Sequence, residues 1–278
     1  MTIQDFITNA LAEDIGDGDH TSLACIPSFA KSKAHLLVKE NGILAGVEIA
    51  KQIFKHVDDS LTVTVFINDG ATVVKGDVAF HVEGKAQSIL KAERLVLNCM
   101  QRMSGIATST KAIVTKLSGL PTKVLDTRKT TPGMRLLEKM AVKIGGGENH
   151  RFGLYDMIMI KDNHSDYAGG VVKAIVAANE YLKQHRLNLK IEVEARNLEE
   201  VNQILATGAI NRIMLDNFSI ADLKTAVALI GGKYETEASG GITIETIREY
   251  ALCGVDYISV GALTHSVKSM DLSLKAIQ

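Results

Sequence analysis

The chain has 278 residues, of which 46% are hydrophobic and 23% are charged, and its formal net charge is −1. This length is enough for one large α/β domain with a sizeable core and a smaller second domain. A near-neutral chain lacks the basic surface of DNA- and RNA-binding proteins, so we expect no nucleic-acid partner. We also expect no membrane association, because no apolar run approaches the ~18 residues of a membrane span.

The cysteines and the start of the chain bear on its location. Cys25, Cys99 and Cys253 lie far apart and have no metal-ligand spacing. An odd number of cysteines without a pairing pattern is typical of reduced thiols in a cytosolic protein. Asp5 interrupts the apolar stretch that a signal peptide would require. We therefore expect a cytoplasmic protein.

The first part of the chain mixes helix and strand patterns. Residues 2–15 predict a short helix, and residues 34–47 and 61–83 carry strand signals, with clear alternation at 61–67. Residues 88–117, rich in Leu, Ala and Met, then predict a long helix with a break at Ser104–Gly105. A change of pattern at residues 118–122 predicts a domain boundary, so we assign residues 1–118 and 119–265 to separate domains.

The sequence pattern changes after residue 121, where short apolar runs alternate with predicted amphipathic helices. Asn197 and Ser219 are placed to cap the starts of two of these helices. Repeated strand-then-helix units with short turns indicate parallel strands, and six units predict an incomplete TIM-like α/β barrel. A doubly wound open sheet is the alternative. The predicted strands are residues 123–126, 157–160, 189–194, 212–216, 234–239 and 257–260.

Cationic side chains cluster just after the early strands of this region. Arg128, Lys129, His150, Arg151 and Lys161 lie beside Gly, Pro, Thr or Asn rather than along a helix face. The carboxyl ends of parallel strands meet on one face of a barrel, so we expect these side chains to converge. Guanidinium forks match carboxylate and phosphate geometry, which predicts a pocket for a small ligand with several negative charges. The deeper Lys161 would act as a point charge on a phosphate or ribose oxygen.

Carboxylates follow the middle strands. Glu194 and Asp216 are the residues that we expect to hold Mg²⁺ or ribose hydroxyls, because Mg²⁺ on a phosphorylated substrate is usually bound through one or two carboxylates. Glu192 shares the strand face of Glu194 and is the weaker candidate.

Small residues follow the last two strands. Backbone amides at such positions, just before helices, let a phosphate approach closely. Barrel phosphate sites favour this location. The residues concerned are Ser239, Gly240, Gly241, Gly261 and Ala262.

At these positions the chain resembles the quinolinate phosphoribosyltransferase family. The resemblance runs over essentially the whole chain in the family's order, and Gly241 stands where Asn is commoner. The motifs that carry it are Glu-Arg-x-x-Leu-Asn at 93–98, Ser-Gly-Ile-Ala-Thr at 104–108, Asp-Thr-Arg-Lys-Thr-Thr-Pro-Gly at 126–133, Leu-Leu-Glu-Lys at 136–139, Gly-Gly-Gly-x-Asn-His-Arg at 145–151, Gly-Leu-Tyr-Asp at 153–156, Ile-Lys-Asp-Asn-His at 160–164, Glu-Val-Glu at 192–194, Met-Leu-Asp-Asn-Phe at 214–218 and Ala-Ser-Gly-Gly-Ile at 238–242.

The resemblance implies a fold and a reaction. The fold is an N-terminal α/β sandwich domain joined to an incomplete α/β barrel, with the tail at 266–278 packed on the first domain. The reaction converts quinolinate and phosphoribosyl pyrophosphate to nicotinate mononucleotide, pyrophosphate and CO₂, with Mg²⁺, in NAD biosynthesis. Two carboxylates on quinolinate account for the cationic cluster, and the pyrophosphate ester accounts for the acidic residues and glycine turns.

The resemblance also implies residue roles. Arg128, His150 and Arg151 hold the quinolinate carboxylates, and Arg94 reaches the same pocket from the neighbouring subunit of a homodimer. Lys129 and Lys161 lie between the substrates, and Glu194 and Asp216 face the ribose and metal. The expected substrate-binding set is completed by Thr127, Ser239, Gly240, Gly241, Val260, Gly261 and Ala262.

Two other interpretations stay open on sequence alone. A related phosphoribosyltransferase on the same scaffold would act on nicotinate or on a partner in molybdate metabolism. A non-catalytic phosphate-binding barrel would act as a sensor. The full basic cluster with Arg94 favours a dicarboxylate, and Glu194, Asp216 and Lys161 together favour an enzyme.

Overall fold

The computed structural model describes residues 2–277, which form two compact units. The first unit comprises Met1–Lys111, Thr130–Gly146 and Ala262–Gln278, and the second comprises Ala112–Lys129 and Gly147–Gly261. The sequence-based domain bounds, 1–118 and 119–265, stay predictions.

The first unit is built around a four-stranded antiparallel sheet in the order β12-β1-β5-β3, and β2 and β4 form a separate antiparallel pair. The C-terminal strand β12 pairs with β1 over five residues, which ties the end of the chain to this sheet. The elements of the unit are α1 Ile3–Ile15, α2 His20–Cys25, β1 Lys31–Val38, β2 Gly42–Ile43, α3 Val47–Val57, β3 Thr62–Val65, β4 Thr72–Val73, β5 Val78–Lys85, α4 Ala86–Lys116 (most of its length), α5 Arg135–Ile144, α11 Ala262–His265 and β12 Leu272–Ala276.

The long helix α4 runs without interruption, so the predicted break at Ser104–Gly105 is wrong. The two residues serve close packing instead. The Ser104 hydroxyl hydrogen-bonds to the backbone N–H and carbonyl of Ala45. A side chain at Gly105 would overlap the carbonyl oxygen of Lys268 and lie 3.1 Å from its carbonyl carbon. A glycine inside a helix therefore marks a close backbone approach here.

The second unit contains a six-stranded parallel sheet in the order β6-β11-β10-β9-β8-β7. All five residues of β8 are buried, as expected for a parallel strand that is covered on both faces. The elements are β6 Lys123–Leu125, β7 Ile158–Ile160, α6 Asp162–Ala168, α7 Val171–His185, β8 Ile191–Ala195, α8 Leu198–Thr207, β9 Arg212–Asp216, α9 Ile220–Ile230, β10 Glu235–Ser239, α10 Ile247–Ala251 and β11 Tyr257–Ser259.

The strand order distinguishes between the two predicted architectures. Strands β7 to β11 are neighbours in chain order and β6 pairs with β11, as in a barrel wound in one direction. A doubly wound sheet would reverse direction at an internal strand. Within residues 2–277 no ladder joins β6 to β7, and Leu125 forms an isolated bridge to Glu148 instead. The prediction of an incomplete α/β barrel is confirmed, and the doubly wound alternative is wrong.

Local signals that the sequence analysis used are also present. The side chain of Asn197 accepts the Glu200 N–H at the start of α8, and that of Ser219 accepts the Asp222 N–H at the start of α9. Both predicted N-caps are confirmed. Among the described residues, no helix combines the length and the apolar character needed to cross a membrane.

We predict that Gly105→Ala destabilises the protein by about 1–3 kcal/mol, because overpacking outweighs the ~1 kcal/mol helix preference for alanine. The urea unfolding midpoint measures this effect. Ser109→Ala on the same helix is the control, and its free energy of unfolding should stay within about 0.5 kcal/mol of the wild-type value. A Gly105→Ala protein as stable as wild type would contradict the close approach to Lys268.

Candidate active site

A pocket of about 330 Å³ lies at the carboxyl ends of the parallel strands in the second unit. Its lining combines cationic, hydroxyl and thioether side chains with one buried carboxylate. The lining residues are Thr127, Arg128, Lys129, His150, Arg151, Met159, Lys161, Met214, Glu237, Ser239 and Ser259.

Several residues predicted from the sequence thus lie together, and others lie elsewhere. Asp216 ends β9, Gly240 and Gly241 follow β10, and Val260 and Gly261 follow β11. Arg94, exposed on α4, and Ala262, the first residue of α11, belong to the first unit. The residues that both line the pocket and were predicted are Thr127, Arg128, Lys129, His150, Arg151, Lys161 and Ser239.

Arg128 and Arg151 give the pocket its positive charge. The Arg151 guanidinium donates to the backbone carbonyl of Met157 at 3.2 Å. Burial lowers the pKa of Arg151, and the positive charge of Arg128 lowers it further. Within residues 2–277, the buried Nε of Arg128 meets no hydrogen-bond acceptor. Two half-buried like charges, one with a buried unsatisfied donor, are arranged for an anionic ligand.

Asp126 holds the second cationic segment against the end of β6. Its carboxylate is fully buried and accepts the Asn149 side-chain amide at 2.5 Å and the His150 backbone N–H at 2.9 Å. These bonds fix the backbone that presents His150 and Arg151. Asp126 therefore acts through backbone geometry, while the residues that follow it line the pocket.

His150 and Glu237 of the pocket lining belong to a ring of alternating charge, which we call the buried charge ring and which also contains Glu192 and Arg212. The Nε2 atom of His150 is 3.1 Å from Glu192 Oε2 and 3.3 Å from Glu237 Oε2. Arg212 Nη1 faces the same two oxygens at 3.7 and 3.0 Å. Both glutamates are fully buried, and the guanidinium of Arg212 also stacks 4.1 Å from the centre of the Tyr257 ring.

The ring shifts the protonation of its members. Burial alone would lower the pKa of His150, but contacts with Glu192 and Glu237 raise it to about 9. Burial and the charge of Glu237 raise the pKa of Glu192. Burial would also raise the pKa of Glu237, but contacts with His150, Ser259 and Arg212 lower it. The raised pKa values of His150 and Glu192 mean that this pair holds one proton more than a neutral imidazole and an ionised carboxylate. With this shared proton the four groups have no net charge.

The two ring nitrogens of His150 face different protein groups. The Arg151 backbone N–H donates to Nδ1 of His150 at 2.7 Å. Nδ1 therefore faces a backbone donor, and Nε2 faces the carboxylate oxygens of Glu192 and Glu237. Both ring nitrogens of His150, which the sequence predicted to bind a carboxylate, face protein groups in this structure.

Lys161 and Glu194 form a second ion pair nearer the strand ends. Lys161 Nζ lies 3.0 Å from Glu194 Oε2, and the Asp162 backbone N–H approaches the other oxygen at 3.4 Å. The lysine side chain is half-exposed, whereas the Glu194 side chain is almost fully buried. The Glu194 carboxylate is thereby fixed, and its partner Lys161 lines the pocket.

Asp216 and the turn after β10 lie side by side, since Asp216 is in register with Ser239 on the neighbouring strand. Gly240 and Gly241 both adopt positive φ, at 98° and 61°. Two half-buried or buried carboxylates on adjacent strands, Glu194 and Asp216, suit a hard cation that is also bound by phosphate oxygens. The donor set therefore fits Mg²⁺ better than a softer transition metal.

Sequence reasoning missed part of this site. Arg212 and Glu237 were not predicted, and Glu192 was ranked below Glu194. The available signal was a charged residue within β8 and β10 and at the start of β9, since parallel strands are normally apolar on both faces. Met159 and Met214 also line the pocket, and the sequence analysis did not select them.

The buried charge ring predicts a pH dependence of stability. The folded-state pKa of His150 is about 9 against the ordinary 6.5. The stabilisation is therefore complete below pH 6.5 and lost as the pH rises through 9, and it amounts to at most about 3 kcal/mol. Urea midpoints between pH 6.5 and 10 should fall in wild type and fall less in His150→Gln, which cannot titrate. Equal slopes in the two proteins would contradict the shared proton.

Comparison of the sequence and the structure with known proteins identifies the family. A model of the C-terminal domain of quinolinate phosphoribosyl transferase matches residues 106–275, and the corresponding N-terminal model matches residues 19–104. Quinolinate phosphoribosyltransferase (decarboxylating) 1b of Nicotiana tabacum is 52% identical over 96% of this chain and 80% of its own length. The chloroplastic nicotinate-nucleotide pyrophosphorylase (carboxylating) of Arabidopsis thaliana has the same identity and coverage. The crystal structure of NadC from Streptococcus pyogenes is similar with a TM-score of 0.92, at 40% identity over 99% of this chain and 97% of the other. The chain belongs to the quinolinate phosphoribosyltransferase family.

Proposed function

We propose that this protein transfers the phosphoribosyl group of phosphoribosyl pyrophosphate to quinolinate, with decarboxylation, to give nicotinate mononucleotide, pyrophosphate and CO₂ in NAD biosynthesis. One observation carries the proposal beyond the family assignment. Arg128 and Arg151 are close enough for the charge of one to depress the pKa of the other, and Arg128 Nε has no acceptor among residues 2–277. A dicarboxylate supplies both the charge and the acceptors that this pair lacks.

The quinolinate carboxylates would bind Arg128 and Arg151, with Thr127 and His150 beside them in the pocket lining. His150 would serve mainly as part of the packed pocket floor, since its nitrogens already face the Arg151 amide and the glutamates. Beneath it, the neutral buried charge ring keeps the negative charges of Glu192 and Glu237 from repelling a dianionic ligand.

The phosphoribosyl pyrophosphate would lie over the later strand ends. Glu194 and Asp216 would face the ribose and hold Mg²⁺ together with the pyrophosphate, and Lys129 and Lys161 would lie between the two substrates. When bound, Mg²⁺ neutralises charge that develops on the leaving pyrophosphate. The backbone amides that would approach the phosphates belong to Ser239, Gly240, Gly241, Val260, Gly261 and Ala262.

The reaction needs positioning and electrostatics more than a nucleophilic side chain. The pyridine nitrogen attacks the anomeric carbon of ribose as pyrophosphate departs, and the carboxylates of Glu194 and Asp216 stabilise the positive charge on the sugar. The ring nitrogen then becomes cationic, and its charge stabilises the electron pair that stays on C2 when the C2–carboxylate bond breaks. CO₂ leaves, and a proton takes its place on the ring carbon.

We further propose a homodimer with shared active sites and a cytoplasmic location. The exposed Arg94 on α4 would enter the quinolinate pocket of the partner subunit, adding a third guanidinium to Arg128 and Arg151. The functional division would follow the predicted domains, 1–118 and 119–265, with the tail 266–278 belonging to the first.

The reaction itself is tested by incubating the purified protein with quinolinate, phosphoribosyl pyrophosphate and Mg²⁺. Equimolar release of CO₂ and pyrophosphate is expected, and replacement of quinolinate by nicotinate should abolish both. Binding of phosphoribosyl pyrophosphate without pyrophosphate release would indicate a sensor, and turnover of nicotinate would indicate a different phosphoribosyltransferase.

Arg128→Lys should weaken quinolinate binding by roughly 2–5 kcal/mol, although the charge is kept, because an ammonium cannot replace a bidentate fork at a desolvated carboxylate. Isothermal titration with quinolinate measures this loss. Lys183→Met removes an exposed cation from α7 and is the control, with unchanged affinity expected. An Arg128→Lys protein with wild-type affinity would remove Arg128 from the carboxylate site.

The shared site predicts complementation between two inactive variants. Arg94→Ala and Arg128→Ala homodimers should each lack activity. If Arg94 acts in trans, a mixed dimer contains one pocket with both arginines and one with neither, so activity returns after co-refolding. Native mass spectrometry of differently tagged subunits verifies the mixed dimer. Mixed dimers that stay inactive would show that Arg94 acts within its own subunit or outside the pocket.

A further inference from the structure

The residue after Asp216 has an unusual backbone conformation. Asn217 adopts φ 56°, in the left-handed region that residues with a side chain rarely enter. The other non-glycine residues with positive φ among those described are Arg186 and Ala209. Asparagine tolerates this region better than most residues, so the sequence at this strand end suits the turn.

Asn217 hydrogen-bonds to Asp216 through its side chain and to Ser239 through its backbone. Its Nδ2 donates to Asp216 Oδ2 at 2.6 Å, and its backbone N–H donates to the Ser239 carbonyl at 2.9 Å. A Cβ on Gly240 would lie only 2.6 Å from Cγ of Asn217 and 2.9 Å from its backbone nitrogen. Gly240 itself has φ 98°, so both sterics and backbone conformation require glycine there. The side chain of Asn217 thus holds the Asp216 carboxylate while packing closely against Gly240, and its backbone joins the end of β9 to Ser239.

We propose that Asn217 is a positioning residue that aims the Asp216 carboxylate and fixes it relative to the Ser239–Gly241 turn, and so prepares the side of the site that takes phosphoribosyl pyrophosphate. This inference rests on the proposed function, in which Asp216 faces the ribose and metal. Asp216 is only half-buried, and a half-buried aspartate at a strand end keeps rotamer freedom unless a donor holds it. The Asn217 amide is that donor.

The opposing interpretation is that Asn217 only permits the turn, and the two interpretations predict different mutant patterns. Asn217→Gly keeps the left-handed backbone at no steric cost and removes only the amide. Asn217→Ala removes the amide and adds backbone strain. A role limited to the turn leaves Asn217→Gly normal and impairs Asn217→Ala, whereas a positioning role impairs both.

The experiment compares wild type, Asn217→Gly, Asn217→Ala and Asn217→Asp by isothermal titration, steady-state kinetics and urea unfolding. In Asn217→Gly, affinity for phosphoribosyl pyrophosphate with Mg²⁺ or turnover should fall about tenfold or more, because a hydrogen bond to a charged group is lost. Quinolinate affinity should stay within about twofold, and the unfolding midpoint should not fall. Asn217→Asp should lose more, since it places a second carboxylate against Asp216.

Ala209→Gly is the matched control, because Ala209 has φ 54° in the turn before β9. Relief of strain there should raise stability and leave both affinities unchanged. Wild-type ligand binding and turnover in Asn217→Gly would overturn the proposal, as would equal losses for both substrates together with lower stability.

A crystal structure of Asn217→Gly separates this proposal from the proposed function. Asp216 should occupy more than one rotamer in the variant and one in wild type, whatever the ligands are. An unmoved Asp216 would overturn the positioning role even if the enzyme is active. A wild-type protein that binds neither substrate would overturn the proposed function, while the rotamer of Asp216 still decides the role of Asn217.

Discussion

The buried charge ring of His150, Glu192, Arg212 and Glu237 is the interaction on which the rest of this site depends. Removing an ionised group from water costs several kcal/mol, and the interior of a barrel offers no solvent to compensate. Here each carboxylate faces one imidazole and one guanidinium, so each desolvated charge has opposite charges at 3.0 to 3.7 Å. The arrangement works only as a closed set, because deletion of any member leaves an unbalanced buried charge.

The geometry of the ring also locks the strands that carry the site. Its members come from β8, β9, β10 and the turn before β7, so it spans the middle of the parallel sheet. A one-residue slip of any of these strands would turn a charged side chain away from its partners. The same constraint that neutralises the interior therefore fixes the heights at which Lys161, Glu194, Asp216 and Ser239 emerge from the strand ends.

The site therefore has two layers of charge. The lower layer is the buried charge ring, and the upper layer is the pair of guanidinium groups in the pocket lining. The lower layer is neutral by itself. The upper layer contains Arg128 and Arg151, and the charge of Arg128 lowers the pKa of Arg151. The Arg151 guanidinium donates to a backbone carbonyl. A net positive pocket above a neutral floor attracts an anion without repelling it from below. This explains why a chain with a formal net charge of −1 can still present a site for a dicarboxylate.

How much of this was accessible from the sequence depended on the kind of signal. Hydrophobic periodicity and cap residues such as Asn197 and Ser219 located the parallel strands and their helices, because these signals are local. The positions of Arg128, Arg151 and Lys161 followed from one topological rule, that parallel strands end on one face. Gly105 was misjudged because its packing partner, Lys268, is distant in the sequence. The ion pair of Arg212 and Glu237 was not predicted for the same reason, because the partner of a charged strand residue lies on another strand and is distant in the sequence.

The same ring bears on where a metal ion can bind. His150, Glu192 and Glu237 each offer a ligand atom within 4.8 Å of the others, and three such groups are a common metal-binding set. However, the two carboxylate oxygens that face His150 also face Arg212 Nη1. With Arg212 and the shared proton the set is already neutral, and a divalent ion would add two uncompensated charges to a buried space. At the strand ends the partners differ, since Glu194 pairs with the half-exposed Lys161 and Asp216 accepts the Asn217 amide. Charge balance therefore argues against a divalent ion in the barrel interior, where the guanidinium of Arg212 already pairs with both carboxylates.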